Sequence, residues 1–549
     1  MELVRLPRGL AVRDAVRKYR DDPAVAYVEP NYLRYPTLVL PADSQFGNLW
    51  ALNNTGQLHP VSDANGDSTA VPRSGSVDSD VDASEAWDVE EGSNVPVAVI
   101  DSGVDVSHPD LSTQLWTNTG ETPGDGLDND GNGKIDDVNG WDFGDDDATL
   151  LASTAFPRYD HGTHVAGTIA AALDNTSGVV GICPGCKIMV LKIARDSDGG
   201  MPISAEIAAL AYAKSEGVKI ANMSLGGPIW SIAEREAIRT SGLLVVAAAG
   251  NDSLDNDMAL ASDLDGDGQA DIFAPAYPAA YTLPNILTVG ASNDDDEHGY
   301  STECNTTFGF PKALCAFTNW GHDSVDVSAP GVDITSTLPG ATWDTWDGTS
   351  MAAPHVAGIA ALVLAQHPTF SVAQVKNAVM HSVDKPPTLQ TMYIAPAPGL
   401  TGPTTKTGSF TRTSGRVNAF TALTASPTNA TVLTDGNIDG AKTMATAKLS
   451  GTVAWPADIN DVLKRKLRRG RSYRITLVVP KGKDYDLYVW KPGAKEIWQP
   501  GKLRRLSARP GAVDEAVQFK AAVTGVYYIQ VSAWLFKSGR YALRFARVR

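Results

Sequence analysis

Between residues 37 and 425, short runs that are apolar at every position recur along the chain: VPVAVI, KIMVLKI, LLVVAAA and NILTVGA. Alanine-rich stretches of helical length separate them. Fully apolar strands between helices predict a parallel sheet covered on both faces, an α/β domain. After residue 441 the pattern changes to strict alternation, as in YRITLVV, YDLYVW, VYYIQVSAW and RYALRFARV, with hairpin signals such as KSGR. Period two with turn residues between runs predicts a small β-sandwich. Residues 1–36 read as a strand, a helix and a second strand (MELVRLP, AVRDAVRKYR, VAYVEPNY), a small α+β fragment. The predicted organisation is therefore 1–36, 37–425, a linker at 426–440, and 441–549. Polar insertions interrupt the α/β region at 57–80, 118–147, 252–273 and 386–410.

One further run, DGTSMAAPHVAGIAALVL from Asp347, is apolar almost all round after Pro354 and predicts a buried helix starting near Ser350. Proline is tolerated near a helix start, where backbone N–H groups lack partners anyway. Ser350 would then sit at the positive end of a helix, beside free N–H groups. Taken alone, such a serine is more often an ordinary N-cap.

Charge divides the chain as the patterning does. The 549 residues carry a net charge of −17, yet Ala441 to the end holds 23 Lys+Arg against 7 Asp+Glu. The tail is thus +16 and the remainder −33. Opposite charges predict separate jobs; an acidic body argues against nucleic acid and favours bound cations. The 4 cysteines fall as two close pairs, Cys183/Cys186 and Cys304/Cys315. Each pair fits a small disulfide loop and an oxidising compartment. Redox or zinc chemistry at Cys-x-x-Cys is the alternative, though a lone CPGC without further ligands speaks against zinc. No stretch reaches the roughly eighteen apolar residues of a membrane span. The start lacks the apolar core of a secretion signal, so the protein is either not exported or begins here downstream of its signal.

In a parallel sheet, ligands collect at the carboxyl ends of strands. VAVIDSGVDVSHPDL puts Asp101 at such an end, LLVVAAAGND puts Asn251 at another, and DHGTHVAGTIAA sets His161 just ahead of an apolar helix. Singly these are a strand-end cap, a turn residue and a helix-start histidine. Together with Ser350 they supply a nucleophile, a base, a carboxylate to orient the base, and an amide donor for an oxyanion. Their order, Asp then His then Ser, is one of the known triad orders.

The blocks VAVIDSGVD, HGTHVAGT, NMSLGGP, VVAAAGN and GTSMAAPHVAG, all in family order, resemble the signatures of subtilisin-like serine proteases over roughly residues 40–425. The resemblance implies a subtilisin-like parallel sheet flanked by helices, with Asp101, His161 and Ser350 as triad and Asn251 as oxyanion donor. It implies structural roles for His164 and His355. It also implies that Ser224, Leu225 and Gly226, with Ala248, Ala249 and Gly250, line the substrate cleft and first specificity pocket. Small residues there, with Ala276 at the floor, predict a roomy, uncharged pocket that prefers large apolar side chains. The N-terminal fragment resembles the last part of the family's inhibitory propeptide, in shortened form, with cleavage expected between Asn31 and Asp43. The tail, through DYDLYVWKPG and GVYYIQVSAWLFKSGRYALRF, resembles the pre-peptidase C-terminal domain of secreted bacterial proteases. Its basic runs KRKLRRGR and KLRR fit binding to an anionic surface or substrate, or else a solvated charged face. Tyr485, Trp490 and Trp498 are expected mostly in its core.

Two acidic loops read as calcium sites. Asp128, Asp130, Asn132, the Lys134 carbonyl and Asp136 space oxygens at alternate positions around Gly133, and Asp263, Asp265, Asp267, the Gln269 carbonyl and Asp271 repeat this around Gly268. Neither has the terminal Glu of an EF-hand; a solvated Asp/Gly loop is the alternative. The family resemblance implies a further calcium site from Asp110, Asn175, the carbonyls of Leu173, Ser177 and Val179, and Asp43. The whole predicts a secreted, calcium-stabilised serine endopeptidase acting on proteins or peptides, inhibited by its own propeptide, with no organic cofactor, nucleic-acid partner or membrane span. A narrow-specificity processing protease and a non-catalytic binding protein on the same fold are the alternatives.

Overall fold

A computed structural model describes residues 40–62, 68–151, 154, 156, 158–257, 260–262, 271–273, 275–300, 317–394, 404–425, 440–453, 460–499, 501–508, 513–533 and 538–548, with residues 19 and 25 besides. The propeptide-like fragment 1–36, the linker 426–440 apart from Gly440, Cys304 and Cys315, and the ligand positions Asp263, Asp265, Asp267 and Gln269 thus lie outside the described residues; Asp271 is described in backbone only. Residues 1–40 and 41–549 are separate units, and every described strand belongs to the second.

The apolar runs form a seven-stranded sheet in the order Val327–Pro330, Ile286–Ser292, Leu244–Ala248, Ile220–Met223, Pro96–Asp101, Lys187–Lys192, Gly140–Asp142. Every pairing in it is parallel. Side chains alternate between its faces. Val97, Val99, Ile188, Val190, Leu244 and Val246 enter one core, which also holds the helices His161–Ala170 and Thr349–Gln366. Ala98, Ile100, Met189, Leu191, Val245 and Ala247 enter the other, beneath the helices Ile203–Ser215 and Ile232–Ser241. Burial on both sides is why these strands tolerate no polar alternation. Among the described residues one helix, Thr349–Gln366, is long and apolar enough to cross a membrane (mean hydropathy 1.3), but 89% of it is buried inside the protein.

Three of the insertions fold as two-stranded antiparallel ribbons: His59–Ser62 with Ser68–Arg73, Leu260–Ser262 with Asp271–Phe273, and Thr391–Ile394 with Thr404–Thr407. The tail builds a five-stranded and a four-stranded sheet. Alternation there has the expected cause: Tyr473, Ile475 and Leu477 enter a core with Leu487, Phe519, Ile529 and Leu543, while Arg474 faces solvent. Tyr485 and Trp490 are buried, and Trp498 is half-buried where the tail meets the body.

Candidate active site

The strands Leu244–Ala248, Ile220–Met223 and Pro96–Asp101 are consecutive neighbours in the sheet. Their carboxyl ends bring Asn251, Ser224 and Asp101 to one edge, with about 4.8 Å between adjacent strands. His161 opens its helix directly over the Asp101 end. That approach needs Gly162, where a Cβ would lie 2.3 Å from the Gly103 carbonyl oxygen and 3.1 Å from the Asp101 Cβ.

Asp101 is buried, and its Oδ1 accepts from the Ser102 N–H and from His161 Nδ1, each at 2.7 Å. Burial disfavours a charged imidazole at His161, but the Asp101 carboxylate outweighs it by charge and hydrogen bond, so the imidazole's pKa is raised above its ordinary value. The His161 ring also stacks near Trp346, with centroids 6.4 Å apart, and Trp346 lies flat against His164 at 4.6 Å. His164 and His355 sit in the core, where burial pushes them down to about 3 and about 4 and leaves them neutral.

Ser350 is the second residue of its helix, so its N–H has no intrahelical acceptor. Pro354 has no N–H to give the carbonyl four residues back, which is that of Ser350. The Ser224 hydroxyl fills the place, donating to the Ser350 carbonyl at 2.8 Å. The Ser350 hydroxyl in turn donates to the Ser224 carbonyl at 3.2 Å rather than to His161. Asn251 gives its side-chain oxygen to the Thr349 N–H and hydroxyl, both at 2.9 Å. Its NH2 lies 3.6 Å from where a Gly348 Cβ would stand.

Ala248, Ala249 and Gly250 run from the neighbouring strand end toward Ala276, whose Cβ is 3.2 Å from a Cβ built on Gly250. Gly250 itself has φ +104° and no room beside the Asn319 amide, so only glycine serves there. Leu225 and Gly226 lead to Gly227, which pairs with Tyr277 through two backbone hydrogen bonds of 2.9 and 2.8 Å. The pattern along the chain did not point to Trp346, Asn256 or Asn319. Asn256 donates to the Ala249 carbonyl (2.8 Å) and accepts from the Ala276 N–H (3.2 Å), and Asn319 donates to the same carbonyl (3.1 Å).

Asp43, Asp110 and Asn175 come together as well. Asp110 accepts from Asn175 Nδ2 (2.8 Å), the Val179 N–H (3.0 Å) and Trp343 Nε1 (2.8 Å). Asp43 accepts from the Asp174 and Asn175 N–H groups at 2.9 and 3.2 Å. Asn175 Oδ1 takes the Ser177 N–H at 2.8 Å, and Leu173 opens the same loop. Both carboxylates are buried, burial raises the Asp43 pKa, and among the described residues no Lys or Arg pairs with either. Buried anions without a cation are costly, so this oxygen-rich donor set fits a hard divalent ion. In the acidic loop, carboxylate oxygens of Glu121, Asp128 and Asp130 lie within 4.8 Å of one another. Glu121 was not apparent from the spacing. Asn132 Oδ1 accepts from the Lys134 N–H at 2.9 Å, the Lys134 ammonium rests over Trp141 and Phe143, and Asp136 turns to the Gly124 and Gly126 amides. Cys183 and Cys186 form a disulfide, with Cα atoms 5.4 Å apart.

A family model described as the subtilase family matches residues 92–415. Subtilisin E of Bacillus subtilis (strain 168) is 37% identical over 292 residues, covering 52% of this chain and 59% of that protein. The chain therefore spans 59% of the length of that relative. The subtilisin of Bacillus pumilus is also 37% identical over 292 residues, with 82% of it covered. Thermitase of Thermoactinomyces vulgaris is 32% identical over 308 residues, covering 56% of this chain and 86% of that one.

Proposed function

The chain belongs to the subtilase family, and from that premise we propose that it is a serine endopeptidase working through an acyl-enzyme. The observation that carries this is the 2.7 Å bond between His161 Nδ1 and Asp101, at the strand edge shared with Ser224 and Asn251. With Nδ1 protonated toward Asp101, Nε2 is the basic nitrogen. Rotation of the Ser350 hydroxyl away from the Ser224 carbonyl offers its proton to that nitrogen. Ser350 Oγ then attacks the peptide carbonyl, and the Asn251 NH2 with the Ser350 N–H holds the oxyanion. His161 passes the proton to the leaving amine, and water repeats the sequence to free the enzyme.

An extended substrate would pair as a strand along Ser224, Leu225 and Gly226. The small residues Ala248, Ala249, Gly250 and Ala276 support a preference for large apolar side chains before the scissile bond, within a broad specificity. Calcium is proposed at Asp43, Asp110 and Asn175, with the carbonyls of Leu173, Ser177 and Val179, and again beside Glu121, Asp128 and Asp130. When bound it supplies positive charge to carboxylates that are otherwise uncompensated. The disulfide supports action in an oxidising, extracellular setting. Inhibition by the N-terminal segment before its removal belongs to the same reading. The exposed residues Lys448, Arg474, Lys520, Arg540 and Arg544 support contact of the tail with an anionic surface or substrate.

The reading is tested with chromogenic peptides that differ only in the residue before the cleaved bond. Hydrolysis should be fastest with Phe or Leu there and absent in Ser350→Ala. Cleavage confined to basic residues would instead favour a narrow processing enzyme.

A further inference from the structure

We propose that the C-terminal sandwich is a positioning element of the first substrate pocket, acting through one carbonyl, that of Asp257. The proposal rests on the protease reading for what the pocket does, though the mechanical link stands on its own contacts.

The link begins in the tail's interior. Trp490 Nε1 donates to Gln530 Oε1 (2.8 Å), and Gln530 Nε2 donates to Asn460 Oδ1 (2.7 Å). Asn460 has then spent its oxygen, and its NH2 points out of the sandwich to the Asp257 carbonyl at 2.7 Å. Trp498 Nε1 adds a second bond to the same oxygen at 3.2 Å. Trp490, Gln530 and Asn460 are all buried, so each amide is oriented by the next, and the last is aimed before it meets the body.

The residue immediately before Asp257 is Asn256. Its N–H donates to the Trp320 carbonyl at 2.7 Å, and its side chain spans the pocket wall at Ala249 and the floor at Ala276. The path from tail to pocket is therefore one residue long. A second anchor keeps the tail seated: Glu496 accepts from Arg235 Nε at 2.7 Å and from Trp230 Nε1 at 3.2 Å. The Arg235 and Glu496 side chains are each 2% exposed. An acid from the basic tail meets a base from the acidic body, so the docking is specific rather than a result of the general charge difference.

Asn460, Trp498 and Asn256 are accordingly positioning residues. The test uses the full-length chain with Asn460→Ala and Trp498→Phe; the latter keeps an aromatic ring and removes only the Nε1 donor's bond to Asp257, a milder change if the former folds poorly. Amide hydrogen exchange should rise in segments 248–257 and 275–277. For a Phe-type substrate kcat/KM should fall about tenfold, mainly through KM, which is part of the ~10²-fold cost of a 1 Å misplacement. An Ala-type substrate and the acid limb of the pH profile should barely change. Unchanged exchange in those segments, or an equal loss for both substrates, would overturn the proposal. A parent chain that cleaves nothing would sink the protease reading alone, because the exchange result still decides the link.

Discussion

The body and the tail bury polar groups for opposite ends. In the body, polar atoms gather at strand ends and are left partly unspent: beside the His161 pair, Asp101 Oδ2 is buried without a partner. In the tail, Trp490, Gln530 and Asn460 use up one another's donors and acceptors, and the last donor closes on Asp257. Unfinished hydrogen bonding marks where chemistry can enter, whereas a finished relay marks where shape is held.

The contrast breaks most visibly at Asp101. Replacing it with Asn leaves the His161 ring without the charge that favours its working tautomer, and kcat should fall on the order of 10⁴-fold. The same variant moves the pH profile. His161 must be neutral to accept a proton, and its raised pKa sets the acid limb above the ordinary 6.5; activity is lost as pH falls through that limb. Without the carboxylate the limb should shift down, as kcat/KM measured against pH would record.

A tail substitution should act on stability instead. Glu496→Ala takes away the buried acceptor of Arg235 Nε and leaves the guanidinium its contact with Glu236, a loss of about 3 kcal/mol that urea unfolding would register. Chelation comes next. If Asp43 and Asp110 hold calcium, withdrawing the ion from a hundredfold excess over Kd costs about 2.7 kcal/mol. That lowers Tm in EDTA, and Asp110→Asn should abolish the difference. Smallest is the disulfide. Cys183 and Cys186 are 3 residues apart, and so short a loop stabilises by about 2 kcal/mol, read from the Cys183→Ala/Cys186→Ala pair.

Local features were legible in the chain: the apolar strands, the alternation of the tail, and His161 at a helix start. Their legibility has a physical source, since burial on one or both faces leaves a period that needs no partner to be read. What escaped depends on partners far away. Lys192 ends a run that reads as plain apolar strand, yet its ammonium is fully buried with Asp142 and Asp196. Trp346 gives no sign in sequence that it backs His161 and His164. Pro354 foretold a helix start, but not that the missing N–H would couple Ser350 to Ser224. The docking of the tail through Asn460 and Glu496 joins residues more than two hundred positions apart, which no periodicity encodes.

Reaction of the purified chain with a fluorophosphonate, followed by peptide mapping, tests the central claim most directly. One equivalent of label is expected on Ser350, more slowly in Asp101→Asn and absent in Ser350→Ala. No label, or label on another serine, would contradict the account.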